Sequence, residues 1–102
     1  MREYKPYYLQ VSALIANASK DIAGLFSEHN AEEIRLKNPM RVTLETEYAG
    51  GRRRTCKIVK IRFNNGLIAI CTRNRAYYLY HLSELMDICY IYEEVYNHFK
   101  NN

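Results

Sequence analysis

The sequence predicts an α+β domain: an N-terminal helix, then a strongly bent antiparallel sheet or small five-stranded barrel, then a short C-terminal helix. Three observations predict it. Apolar residues recur at helical spacing from Tyr7 to about His29. From Arg41 the period changes to two, the alternation of a half-buried strand. Turn residues then punctuate the chain at Ala49-Gly50-Gly51, Asn64-Asn65-Gly66 and Arg73-Asn74-Arg75. With 102 residues, the chain is sized for a single domain over residues 1–102 with a modest core.

The helix, about 7–29, is read from the stripe Tyr8, Val11, Ile15, Ala18, Ile22, Leu25 and Phe26, with two shorter helices broken near Ser19 as the alternative. Pro6 stands where a first-turn proline is tolerated, and Asn30 suits the left-handed position after a helix. Residues 31–40 are expected to be a connector. Ile34 and Leu36 alternate with Arg35 and Lys37, which hints at a short extended segment, and Asn38-Pro39 ends it because the residue before proline avoids the α region.

The β-rich core spans about 41–92. Arg41 to Tyr48 is expected as the first strand, with Val42, Leu44 and Tyr48 on one face. Arg54 to Phe63 is the second. Val59, Ile61 and Phe63 share one side of it, while Ile58 falls out of phase and calls for a bend or bulge. Asn64-Asn65-Gly66 is the strongest hairpin signal, since Asn-Gly supplies the positive φ angles of a tight turn. Leu67 to Thr72, apolar on both faces, suits a central strand, and Ala76 to Leu82 is a fourth strand rich in tyrosine. The end of the chain supports two readings. Strand composition in Asp87 to Tyr92 favours a fifth strand followed by a helix over about 93–100. Leu85, Ile88, Tyr92, Val95 and Phe99 also fit one helix from Glu84 to Phe99.

The segment Tyr78 to Ile91 (Tyr-Leu-Tyr-His-Leu-Ser-Glu-Leu-Met-Asp-Ile-Cys-Tyr-Ile) carries a family resemblance. With the strands before it, over about Arg41 to Tyr92, the order resembles the small Sm-like and SH3-like β-barrels. The preceding helix is closer to the Sm-like arrangement. The resemblance implies a five-stranded barrel in which one 3₁₀ turn, here His81 to Leu85, divides the last two strands. The Arg-Gly or Lys-Gly pair of Sm proteins has no counterpart, as Asn74 and Arg75 stand in its place, so no site residue is carried over. Folds of this kind host many unrelated functions.

Charge is distributed unevenly. Tyr48 to Ser83 holds eight basic residues and no acidic one, so it carries +8 while the remainder carries −4 within a net charge of +4. Segregation of this kind concerns partners rather than fold. Arg52, Arg53, Arg54, Lys57, Lys60, Arg62, Arg73 and Arg75 form the candidate nucleic-acid-binding set, because guanidinium forks suit phosphate oxygens. Tyr78 and Tyr80 are candidates for stacking on bases. The chain has ten tyrosines and no tryptophan, and for any one tyrosine strand packing is the simpler role. Lysine and arginine also protect sheet edges, but eight without an acid between them exceeds that need.

No catalytic constellation is present. His29, His81 and His98 fall in different elements, Glu32-Glu33 and Glu93-Glu94 read as solvated faces, and Ala49-Gly50-Gly51-Arg52 lacks the spacing of a phosphate loop. A non-enzymatic binding protein without cofactor or metal is expected. Its partner is nucleic acid, DNA or RNA, or alternatively an acidic protein surface, which would make it an interaction module or small regulator. The acidic remainder also allows self-association into a homo-oligomer. Cys56, Cys71 and Cys89 are odd in number and widely spaced, which fits buried thiols in a reducing cytoplasm. Neither a secretory leader nor a membrane contact is expected: Met1-Arg2-Glu3-Tyr4-Lys5-Pro6 has no apolar segment beside it.

Overall fold

The computed structural model describes residues 4–46, 53–79, 82–85 and 87–101, with side chains placed for 16–45, 53–79 and 87–101. Helix α1 is Tyr4–Glu28 and α2 is Ile88–Lys100. Between them run β1 (Glu33–Thr46), β2 (Arg53–Asn64), β3 (Leu67–Cys71), β4 (Ala76–Tyr78) and β5 (Leu82–Leu85). The strands pair antiparallel in the order β4-β3-β2-β1-β5, which leaves β4 and β5 as the two edges of an open sheet. The class is α+β.

Helix α1 ends as its sequence requires. Asn30 takes a φ of 51°. Its N–H donates to the Ser27 carbonyl at 3.2 Å, and the Ala31 N–H donates to the Phe26 carbonyl at 2.9 Å. This pair of bonds is the Schellman stop, which satisfies two carbonyls the helix leaves open. Ile22 and Phe26 are fully buried, with Ala18 and Leu25 packed beside them. The predicted stripe residues Tyr8, Val11 and Ile15 lie outside the described side chains.

The connector expected over 31–40 is instead the start of β1. Ile34 pairs with Ile61, and the Phe63 N–H donates to the Glu32 carbonyl at 2.8 Å. Pro39 does not end the strand, because the ladder is interrupted where it stands. Arg35 lies opposite Lys60 and Met40 opposite Ile58, so residues 36–39 face Val59 alone. A missing N–H costs no ladder bond in such a bulge. The irregularity expected near Ile58 is therefore present, with the extra residues on β1. Ile58 and Ile61, three apart, are both fully buried, so the core-facing phase of β2 changes across it.

Asn65 and Gly66 have φ of 52° and 78°, the two left-handed residues of a tight hairpin turn. The third turn is held by the Thr72 hydroxyl, which accepts from the Arg75 N–H at 2.9 Å. Strand β3 is buried on both sides, with Ile68 and Ile70 on one and Ala69 and Cys71 on the other.

The end of the chain corrects the preferred reading. No strand spans Asp87 to Tyr92. Strand β5 is Leu82–Leu85, where a 3₁₀ turn was expected, and the fourth strand stops at Tyr78. Helix α2 takes up what remains and comes nearer to the one-helix alternative. The reason is the spacing of burial. Ile88, Ile91 and Val95 are buried while Tyr90 is 61% exposed, whereas a strand would place Ile88, Tyr90 and Tyr92 on one face. A continuous apolar stripe outweighs the local strand preference of β-branched and aromatic residues.

The core lies between the helices and one face of the sheet. Phe26 of α1 packs against Phe63 of β2 with ring centres 5.8 Å apart, and edge-on against Phe99 of α2 at 5.3 Å. His29 stacks on the same Phe99 at 4.4 Å. Asp87, just before α2, accepts the Thr43 N–H of β1 at 2.8 Å. It ties the helix to the stretch of strand next to the end of β5.

Candidate functional site

Register decides which basic residues meet. On the sheet face away from Ile34, Ile61 and Ile70, two rows cross the strands. The first is Glu33–Arg62–Ala69–Tyr78 and the second is Arg35–Lys60–Cys71–Ala76. Beyond the bulge, Arg41 lies opposite Lys57 and Glu45 opposite Arg53. Opposed residues of an antiparallel pair project to the same side. Arg35 therefore shares a side with Lys60, and Arg41 with Lys57.

Of the predicted set, Lys60, Arg62 and Tyr78 come together on the two rows, all half-buried. Arg53, Arg54 and Lys57 are exposed along the first half of β2. Arg73 and Arg75 are exposed in the turn that follows the Lys60–Cys71–Ala76 row. Arg52 and Tyr80 lie outside the described residues. Sequence reasoning missed Arg35 and Arg41, because it placed the first in a connector and confined the basic stretch to residues after Tyr48. The alternation Ile34-Arg35-Leu36-Lys37 already hints at an extended segment; what it does not show is that the segment runs on past Pro39 into one strand.

The acidic residues on this face are as informative. Glu33 reaches Lys60, with carboxylate oxygen and ammonium 3.5 Å apart. Both groups are partly solvated, so the pair adds little stability. Among the described residues, Arg41 and Lys57 have no ion-pair partner.

Glu32, Glu33, Arg62, Asn64, Leu67, Ala69 and Tyr78 line a depression of about 170 Å³. It exists because the third residue of the first row is alanine. Ala69 is only 1% exposed and cannot fill the space between the longer Arg62 and Tyr78 that flank it. Beside it, burial pushes the Cys71 thiol up from its ordinary value, while the positive charges of Arg62 and Lys60 pull the other way. The thiol is protonated at neutral pH and is a weak nucleophile there.

The histidines stay apart from this face as far as they are described. His29 and His98 both pack on Phe99, while His81 lies outside the described residues. Among the described residues no group of His, Cys, Asp or Glu is placed to hold a metal ion, and no helix is long and apolar enough to cross a membrane. Comparison with protein-family models, with curated proteins and with solved structures found no match for this chain.

Proposed function

We propose that this protein is a non-enzymatic binding protein whose outer sheet face takes nucleic acid, mainly through the phosphate backbone. The observation that carries the reading is the pairing of like charges. Arg35 stands opposite Lys60 and Arg41 opposite Lys57. Like charges directly opposed across strands cost stability; Glu33, 3.5 Å from Lys60, offsets part of that in the first pair, and among the described residues nothing offsets it in the second. A phosphate backbone bound along the face neutralises both pairs at once. Arg53, Arg73 and Arg75 extend the positive potential, with Arg52 as a further donor, while Arg54, opposite the buried Leu44, projects to the other side of the ribbon and adds charge only through its exposed end; Tyr78 and Tyr80 are the stacking candidates.

The finer fold reading is a five-stranded Sm-like or SH3-like barrel. It is supported by the strand order, in which β1 is flanked by β2 and β5, and by the register shift within the β1–β2 pair, a feature that bends strands. A reducing compartment such as the cytoplasm fits three free cysteines.

Fluorescence anisotropy with short single- and double-stranded DNA and RNA, titrated at two salt concentrations, tests the binding reading. Salt-sensitive association is expected, and replacing Arg53, Arg54 and Lys57 together with serine weakens it across all sequences and flattens the salt slope. Absence of binding at low salt would overturn the reading in favour of an acidic protein partner. A pulldown whose partners survive nuclease treatment would then be the supporting result.

A further inference from the structure

The depression beside Tyr78 contains the wrong charges for a phosphate. Two of its lining residues, Glu32 and Glu33, are acidic, and among the described residues the Glu32 carboxylate has no ion-pair partner. A backbone phosphate is repelled there. A ligand that offers hydrogen-bond donors to a carboxylate and acceptors to a guanidinium is not.

The framing side chains say more. Arg62 and Tyr78 stand on either side of Ala69 in one row, with Leu67 and Asn64 closing the end at the β2–β3 turn. Glu32 is held at the rim by its backbone, whose carbonyl accepts from the Phe63 N–H at 2.8 Å. A space of about 170 Å³ is close to the roughly 150 Å³ cavity that takes up a benzene ring in an engineered core, so it suits one planar ring system. A tyrosine ring at the wall gives such a ring a stacking partner.

Among the bases, guanine fits this set of groups. Its Watson–Crick edge presents N1–H and N2–H donors, which a carboxylate accepts as a pair. Its O6 and N7 are the acceptors that arginine takes as a fork. Adenine and cytosine each offer a single amino donor beside ring acceptors, and the carboxylate repels those acceptors. Uracil has one ring N–H between two carbonyl oxygens, which the carboxylate again disfavours.

Building on the nucleic-acid reading above, we propose that the depression is a subsite for one unpaired guanine, with Glu32 on its Watson–Crick edge, Arg62 on O6 and N7, and Tyr78 against its face. The neighbouring strand phosphates then lie along the like-charge pairs of β1 and β2. Binding is backbone-driven, with one position of base preference.

The test is fluorescence anisotropy with labelled eight-nucleotide RNAs, one of adenosine alone and one with two central guanosines, against the unaltered chain and E32Q. Glu32 is exposed, so the substitution leaves the core alone, and circular dichroism checks the fold. The expected result is tighter binding of the guanosine oligomer, on the order of tenfold. In E32Q that preference falls to roughly twofold or less while adenosine affinity and salt slope persist. Salt-sensitive binding with equal affinity for the two oligomers would overturn the subsite and leave the backbone reading standing. A guanosine preference undiminished in E32Q would overturn the assignment to this depression. No binding of either oligomer at low salt would overturn both.

Discussion

The β1–β2 ribbon has two faces built on opposite terms. On the inner one Ile34 lies opposite Ile61 and Val42 opposite Cys56, and Ile34, Ile61 and Val42 are among the most buried residues of the chain. On the outer one Arg35 lies opposite Lys60 and Arg41 opposite Lys57. Each inner pair stabilises the fold by removing apolar surface from water, while each of these two like-charge outer pairs costs a fraction of that through repulsion, in contrast to the opposite charges of Glu33–Arg62 and Glu45–Arg53 on the same face. The same backbone serves both because successive residues of a strand point to opposite sides. Inner pairs are what folding requires of a ribbon, and outer pairs are what it tolerates. Residues that folding merely tolerates are the place to look for a partner.

Changes on the inner side are expected to have the largest effect. Ile70→Ala, in the strand buried on both faces, should lower stability by about 2–5 kcal/mol, read as a fall in the urea midpoint. A loss below about 1 kcal/mol would break the contrast, because β3 would then not be central to the core. Asp87→Ala removes the carboxylate that accepts the Thr43 N–H and should cost about 2 kcal/mol. Asp87→Asn, which keeps an acceptor, should recover part of it in the same assay.

Smaller effects sharpen the comparison. Gly24 is an exposed helix residue whose added Cβ would meet nothing within 4 Å. Gly24→Ala should raise stability by about 0.5–1 kcal/mol without changing oligonucleotide affinity. Lys57→Glu should raise stability by up to about 0.5 kcal/mol, by placing opposite charges across β1 and β2, and should weaken oligonucleotide binding. A variant that becomes both more stable and a poorer binder is the outcome that separates the two faces. Loss of stability in Lys57→Glu would show that the lysine serves the fold.

The smallest effect concerns pH. The Cys71 thiol is raised by burial, so the folded chain holds this proton to higher pH than the unfolded chain. Stability from this residue is complete below the unfolded thiol value, near ~8.5, and declines as pH rises from there through the folded value. Urea titrations under reducing conditions should show that decline, and Cys71→Ala should lessen it.

Local chemistry determined a large part of this architecture. The stop after α1, the Asn65-Gly66 turn, the two-sided burial of β3 and the absence of acids from Tyr48 to Ser83 are all written in short stretches of chain. They were legible because each depends on φ preference, period or charge within a few residues. Two things were decided only when distant segments met. Residues 88–92 have strand composition, yet Ile88, Ile91 and Val95 find the core together only as a helix, with Tyr90 left in water. Glu33 and Arg35 gain their meaning from register, which sets them opposite Arg62 and Lys60, 29 and 25 positions further along the chain. The notch over Ala69 likewise exists because alanine falls between an arginine and a tyrosine from two neighbouring strands. Register depends on how apolar surface is shared among all strands at once, and a slip of one residue would turn every side chain of a strand to the other face. Composition therefore told that this protein carries a basic surface, and the tertiary fold chose its members.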